Sequence, residues 1–426
     1  MRERLASRLG FLMLAAGCAV GLGNVWRFPF VVGQNGGAAF VLVYFAFLAL
    51  FGFPVLLAEL SVGRGGKAGI AGAFRSLGGR GWGLLGLGVF AGNLLLMVYY
   101  TDVAGWLLKF TEAYAAVGAP PEFGELVADK GTCLVAMLIA VAIAAAVCAV
   151  GVQRGVERVT KWMMISLLAL MGVLAVKSLT LEGAAKGLAF YLKPDWAPLI
   201  EHPGRVVFDA MGQAFFTLSI GVGAMTIFGS YIDKRESLVK ESVCIILIDT
   251  FVAFAAGLII FPACTTFGVD VACGPGLIFA ALPKVFAAMN GGRIWGFVFF
   301  LFLSLAALTT VIAVFECLIG GLIDMTLRGR VAVAVFVGVV VAALSLPCVL
   351  VDGALDVEDF VFSKFWLPLG GLAITLFVSY DVGWGWSKFR EEASAGRGFA
   401  LPEWTRVVFR YVVPVLILAA MATGLM

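Results

Sequence analysis

Charge is scarce in this sequence. Asp, Glu, Lys and Arg make up 13% of its 426 residues, where a soluble chain carries roughly a quarter. The 30 basic and 27 acidic side chains leave a formal net charge of +3, too small a surplus to suggest a nucleic-acid partner. Histidine is nearly missing. His202 is the one copy, which argues against histidine-dependent hydrolysis and histidine-rich metal chemistry. The eight cysteines are scattered, mostly in apolar stretches and without metal-ligand spacing, and read as inert core thiols. Only Cys264 and Cys273 share one extramembrane stretch, and whether they pair stays open. No GxxxxGK[ST] loop is present, so no ATP motor is expected. No nucleophile–base constellation stands out, so an enzyme is not expected. The opening MRERLASRLG leads into a long segment with no small-residue cleavage pattern after a short apolar core, so no cleavable signal peptide is expected.

Apolar length is abundant. Hydrophobic residues are 62% of the chain and the mean hydropathy is +1.03. Repeated runs of about 20 apolar residues identify an all-α polytopic membrane protein. Eleven spans are expected: 8–33, 38–62, 83–111, 132–151, 156–178, 205–230, 241–267, 293–323, 331–350, 360–384 and 404–425. Arg2, Arg4 and Arg8 precede the first, and Arg64, Lys67, Arg75 and Arg80 fill the second loop. Arg154, Arg158, Lys161, Arg328 and Arg330 fall on the same side, which the positive-inside rule makes cytoplasmic. The acidic stretches 122–129 and 352–359 lie opposite. The N-terminus is therefore expected inside and the C-terminus outside.

Two spans weaken their own helices. Gly21 and Gly23, followed by Asn24, interrupt the first, and Gly221 and Gly223, beside Thr217 and Ser219, interrupt the sixth. Five spans separate them, so the two units enter the membrane in opposite directions. Interrupted helices at matching positions of inverted halves point to the binding site of a secondary transporter. A break frees backbone groups that hydrocarbon does not satisfy. Amides at Leu22, Gly23 and Asn24 suit a carboxylate at a positive helix end. Carbonyls at Gly17, Ala19 and Val20 suit a hard cation. A site for a small zwitterion plus cations follows. Three acids, Glu59, Asp249 and Glu316, sit inside apolar runs and need partners there. Glu59 and Glu316 are read as structural partners of opened backbone, Asp249 as a ligand.

The stretches RLGFLMLAAGCAVGLGNVWRFPF, QNGGAAFVLVYF, AELSVGR, MVYYTDVAGW, RGVERVTKWM, LKPDW, GQAFFTLSIGVGA, LAALTTVIAVFE and VEDF carry a family. The sequence resembles the neurotransmitter:sodium symporters, specifically the bacterial amino-acid transporters with the LeuT fold, over nearly its whole length. The resemblance implies one transporter domain over 1–426. It holds two inverted five-helix repeats at 8–178 and 205–387, with discontinuous helices 1 and 6, and an extra C-terminal helix at 403–425. It implies sodium-coupled amino-acid uptake by alternating access, with sodium, an amino acid and the lipid bilayer as partners.

Carried over by motif, one sodium site uses the Ala19 carbonyl, Asn24, Thr217, Asp249 and the substrate carboxylate. The second uses the carbonyls of Gly17, Val20 and Ala306 and the hydroxyls of Thr309 and Thr310. The substrate carboxylate meets the Leu22 and Gly23 amides and the Tyr100 hydroxyl. Its ammonium meets the carbonyls of Ala19, Phe216 and Thr217, with help from Ser219. Its side chain lies among Leu96, Phe216, Ser219, Val222, Thr310, Ala313 and Val314, an uncharged lining that favours a hydrophobic amino acid. Gly21 keeps the backbone uncovered, and Cys18 stands beside the site where asparagine or serine is usual. Tyr100 and Phe216 form a lid; Arg27 with Asp359 and Arg2 with Asp324 form the outer and inner gates.

Departures from the family pattern add expectations. Asp249 replaces an asparagine found both in the leucine-type member and in chloride-dependent animal members. A fixed carboxylate there implies chloride-independent transport. Val222 and Val314 replace phenylalanine and isoleucine, which implies room for Trp, Phe, Tyr or Leu. Gly155 is kept but Ile165 replaces a proline ten residues on, so unwinding of the fifth span is expected to be harder. The chain ends after span eleven where many members have twelve, a form that looks bacterial and implies a prokaryotic inner membrane. Two other readings are a proton-coupled transporter of the same fold, titrating at Glu59 or Asp249, and a sensor that binds without transport.

Overall fold

The computed structural model describes residues 5–116, 118–269, 277–396 and 398–424. The first crossing is made of two pieces, α1a (Arg8–Ala19) and α1b (Gly23–Gln34), bent by 50° at the break. Then come α2 (Ala38–Gly66), α3 (Arg80–Ala116), α4 (Lys130–Ala149) and α5 (Val152–Leu179). The sixth segment is again in two pieces, α6a (Pro203–Thr217) and α6b (Ala224–Gly229), each too short to cross alone. It is followed by α7 (Leu238–Thr266), α8 (Gly292–Thr326), α9 (Arg330–Leu350), α10 (Ala354–Ser379) and α11 (Thr405–Ala422). The unbroken helices and the α1 pair are long and apolar enough to span a bilayer. The segments fall where the apolar runs place them. Several ends differ: α3 runs on to Ala116, α10 stops at Ser379, and α10 begins at Ala354, because Gly353 at φ 81° turns the chain into the helix. Asp356 and Asp359 therefore ride on a helix and not in a loop.

Local chemistry makes the breaks. Ser7 caps α1a, its hydroxyl accepting from Gly10 N at 2.9 Å. The helix stops at Val20, which is extended at φ −70° and ψ 95°. The chain resumes as a π-helical turn over Gly23–Arg27, with Pro29 in the first turn of the α-helix that follows. Pro203 opens α6a. Residues between Thr217 and Ala224 leave the helix, with φ 51° at Ser219, 91° at Gly221 and 71° at Gly223. Glycine tolerates that region freely; Ser219 is held there by its surroundings.

Burial orders the bundle. The apolar window of α8 is 78% buried, against 28% for α5 and α11. α8 runs along α3, α4, α5 and α1a, so residues on its middle turns face protein on most sides. At the basic end, Arg64 of α2 donates to Glu392 Oε1 at 2.6 Å, to the Glu236 carbonyl at 2.7 Å and to the Glu392 carbonyl. This pins the short helix Trp386–Ala393 under α2. Arg2 and Cys273, named above for the inner gate and a possible disulfide, lie outside the described residues. Cys264 is buried near the end of α7.

Candidate functional site

The α1 and α6 breaks lie against each other. Ser219 Oγ donates to the Cys18 carbonyl at 2.9 Å, and Gln213 Nε2 donates to the Gly23 carbonyl at 2.8 Å. The amides opened in α6 are taken up by Glu59 of α2: Gly221 N reaches Oε1 at 2.7 Å and Met225 N reaches Oε2 at 3.0 Å. A carboxylate at the start of α6b is also favoured by the helix dipole. Asn93 of α3 donates to the Val222 carbonyl at 2.7 Å. Glu316 is matched by Tyr231 at 2.6 Å and Arg330 at 2.7 Å. Glu59 thus has the opened-backbone partners expected of it, whereas Glu316 is held by side chains, the Tyr231 hydroxyl and the Arg330 guanidinium.

Asp249 is fully buried on α7. Asn24 Nδ2 donates to its Oδ1 at 2.8 Å and to its carbonyl at 3.1 Å, and Thr217 Oγ1 donates to its Oδ2 at 3.0 Å. Asn24 Oδ1 in turn accepts from Gly21 N at 3.2 Å. Asn24, Thr217 and Asp249 are therefore one cluster at the open end of α1a, where Ala19 is the last helical residue. A second oxygen cluster lies one turn back. Thr310 Oγ1 is 3.3 Å from the Gly17 carbonyl and 3.4 Å from those of Cys18 and Ala306. Thr309 Oγ1 donates to the Ala306 carbonyl at 2.9 Å. Carbonyl and hydroxyl oxygens, with one carboxylate in the first cluster, form a donor set for a hard alkali cation.

Between the breaks is a cavity of about 10 Å³. Ala19, Gly21, Gly23, Leu96, Tyr100 and Phe216 line one part of it, and Ser219, Val222, Thr310, Phe362 and Leu367 the rest. Its walls are nearly in contact, so an amino acid enters only as they part. The Tyr100 hydroxyl accepts from Leu22 N at 2.9 Å, which puts the lid on an amide assigned to the substrate carboxylate. Five of the expected substrate residues do not line it: Cys18, Leu22, Thr217, Ala313 and Val314. Ala313 and Val314 are fully buried in α8, about one turn past Thr310. The missed residues are Phe362 and Leu367 of α10. Their signal was weak: the π-helical turn Phe362–Trp366 and Pro368 interrupt α10 there.

The glycines of the first break act otherwise than as turn formers. Neither Gly21 nor Gly23 has positive φ. A Cβ on Gly21 would lie 2.5 Å from the Tyr100 hydroxyl, and one on Gly23 would lie 2.8 Å from the Phe216 ring. Both glycines permit close approach. Cys18 contributes its carbonyl, which accepts from Ser219 and Thr310. That need not depend on side-chain type.

On the vestibule side of the cavity, Arg27 Nη1 is 3.7 Å from Asp359 Oδ1, and its guanidinium lies 4.6 Å from the centre of the Phe216 ring. Arg27 Nη2 also donates to Ser363 Oγ at 3.2 Å, a partner missed in the sequence. Above them opens a vestibule of about 410 Å³. At the other end, Asp324 Oδ2 accepts from Gly69 N at 2.8 Å. The start of α1a is held by residues the sequence reading did not single out. Glu157 of α5 accepts from Ala6 N at 2.7 Å and from the Ser7 hydroxyl at 3.0 Å, and Arg8 pairs with Glu241 at 2.7 Å. Ile165 sits in a helix that runs unbroken over Arg158–Leu179.

Comparison with known proteins places this architecture. The profile of the sodium:neurotransmitter symporter family matches residues 2–117 and 122–426. An uncharacterized sodium-dependent transporter of Bacillus subtilis, YhdH, is 33% identical over 97% of this chain and 95% of its own. An uncharacterized sodium-dependent transporter of Haemophilus influenzae is 30% identical over 100% and 98%. A crystal structure of MhsT in complex with L-phenylalanine matches with a TM-score of 0.90 and 36% identity, covering 100% of both chains. With the two broken helices, the paired oxygen clusters and these full-length matches, the chain belongs to the sodium:neurotransmitter symporter family and is a multi-pass membrane transporter with the LeuT fold.

Proposed function

We propose that this protein imports a hydrophobic amino acid, bulky or aromatic, together with sodium and without chloride. The observation that carries the reading is Asp249. It is a fully buried carboxylate tied to Asn24 and Thr217 beside both helix breaks. A cation there meets a fixed negative charge, so no mobile anion is required. The Thr309–Thr310 cluster is assigned to a second sodium ion. The substrate carboxylate lies between Leu22, Gly23 and Tyr100 and contacts the first ion, so ion and substrate each favour the other. The proposed inverted repeats, 8–178 and 205–387, supply one broken helix each. Rocking of these helices against the rest exposes the site to either side. The side on which the basic loops fall supports a cytoplasmic N-terminus.

Binding of an amino-acid panel to purified protein, with and without sodium at fixed pH, tests this. Sodium-dependent binding of L-phenylalanine or L-tryptophan is expected, and binding indifferent to sodium would overturn the reading. Uptake is expected to persist when gluconate replaces chloride at constant sodium; collapse would remove the chloride assignment alone. Val222 is fully buried and lines the cavity. Val222→Phe is expected to weaken tryptophan binding about tenfold or more, as overpacking by 1–3 kcal/mol implies, and alanine binding far less. Equal losses for both would count against the pocket.

A further inference from the structure

Seven carboxylates are buried among the described residues: Glu59, Asp102, Glu157, Glu241, Asp249, Glu316 and Glu392. Six have partners. Glu59 and Glu157 take backbone amides, Asp249 takes Asn24 and Thr217, and Glu241, Glu316 and Glu392 take arginines. Asp102 is different. It lies on α3, two residues past the Tyr100 lid, and is 1% exposed. Neither of its oxygens has a hydrogen-bond partner among the described residues.

We infer that Asp102 is a proton-binding site beside the outer vestibule, loaded as the vestibule closes and unloaded as it opens. A buried ionised carboxylate without a partner is far costlier than the neutral acid. With the walls packed as they are here, Asp102 is cut off from water and therefore carries a proton. The route is short. Tyr99, Val103 and Trp106, its neighbours along α3, line the vestibule, as does Cys348 of α9. Parting of these walls brings water to the carboxylate, where it ionises with ordinary ease.

Among the described residues no neighbouring base supplies the missing charge. From α4 and α9 the groups that interact with Asp102 are the thiols of Cys133 and Cys348. Lys130, at the start of α4, is paired with Asp352 at 2.6 Å and holds that exposed carboxyl below its usual range. Arg293, at the start of α8, donates to the Tyr114 and Ala115 carbonyls. Glu358 of α10 acts on Cys348 and adds negative charge. The step balances as one carboxylate oxygen gaining one proton from vestibule water on closing and returning it on opening. Linkage sets the sign: alkaline pH on the vestibule side opposes closure, and ligands that favour closure draw in a proton.

The inference rests on the transport reading only in taking closure as a step of the cycle. Two measurements separate them. Infrared titration of the purified protein should show a protonated-carboxyl C=O band near neutral pH that Asp102→Asn removes. This needs no substrate. An unchanged band in Asp102→Asn overturns the proposal. As a check on folding, Asp102→Ala should remove the same band, and persistence of the band in a folded Ala variant also overturns it. Then sodium and L-phenylalanine are added in weak buffer with a pH dye. The wild type is expected to take up about one proton per protein that Asp102→Asn does not, and to lose affinity by up to about tenfold per pH unit on the alkaline side. Asp102→Glu should restore both effects. Equal proton uptake by wild type and Asn overturns the site. Absence of phenylalanine binding in every protein is a failure of the transport reading, and the infrared band then decides Asp102 alone.

Discussion

Asp249→Asn is expected to lower sodium-dependent amino-acid uptake about a hundredfold or more in chloride-free medium. The change is nearly isosteric. Its carbonyl oxygen still accepts from Asn24, and its amide is able to donate to the Thr217 hydroxyl, which sit 2.8 and 3.0 Å from the native carboxylate. What disappears is the charge. A cation about 4 Å from a carboxylate gains about 4 kcal/mol at an effective dielectric constant of about 20, and about 2.7 kcal/mol is already a hundredfold. Added chloride is expected to restore part of the uptake. Tyr44 and Thr217 carry buried hydroxyls able to donate to an anion. Sodium titrations of uptake in chloride and in gluconate would check this. Near-wild-type uptake by Asp249→Asn without chloride would mean that the carboxylate is not the cation's counter-charge.

Gly21→Ala is expected to abolish substrate binding, by at least about a hundredfold, while leaving a folded protein. The added Cβ would lie 2.5 Å from the Tyr100 hydroxyl and closer still to Thr310 Oγ1. Tyr100 is a rigid ring on α3, and Thr310 is β-branched on the most buried helix, so neither yields cheaply. Overpacking of this kind costs about 1–3 kcal/mol in a core. Here it also pushes away a group proposed to hold the carboxylate and one proposed to hold sodium. Gly88→Ala, on the same α3, has nothing within 4 Å of the new Cβ and serves as the control. Sodium-dependent L-phenylalanine binding, read with thermal unfolding, gives the outcome. Binding by Gly21→Ala within about threefold of wild type would show that the break is not packed on its ligand groups.

Particular residues show what was legible. Spans were readable because apolar length is a local property: about 20 such residues cross a bilayer wherever they pack. The breaks at Val20 and Ser219 were readable because glycine and polar residues weaken a helix locally. The family motifs brought Asn24, Thr217 and Asp249 together, and so did Gly17, Ala306, Thr309 and Thr310. Faces were harder to read. Phe362 and Leu367 reach the cavity, and Ala313 and Val314 do not, because the outcome depends on how α10 leans on the unwound part of α6.

Composition and pattern alone determined the membrane class, the segment order, the paired interruptions and the need for partners around buried acids, all of which follow from short-range backbone and solvation physics. Only the tertiary structure decided which partner each acid obtained. Glu59 found two freed amides, Asp249 found Asn24 and Thr217, and Asp102 found none among the described residues. It also decided that Gly21 and Gly23 serve close approach and not positive φ. Those outcomes turn on ångström-scale distances between helices far apart in the chain, and no local pattern encodes such distances.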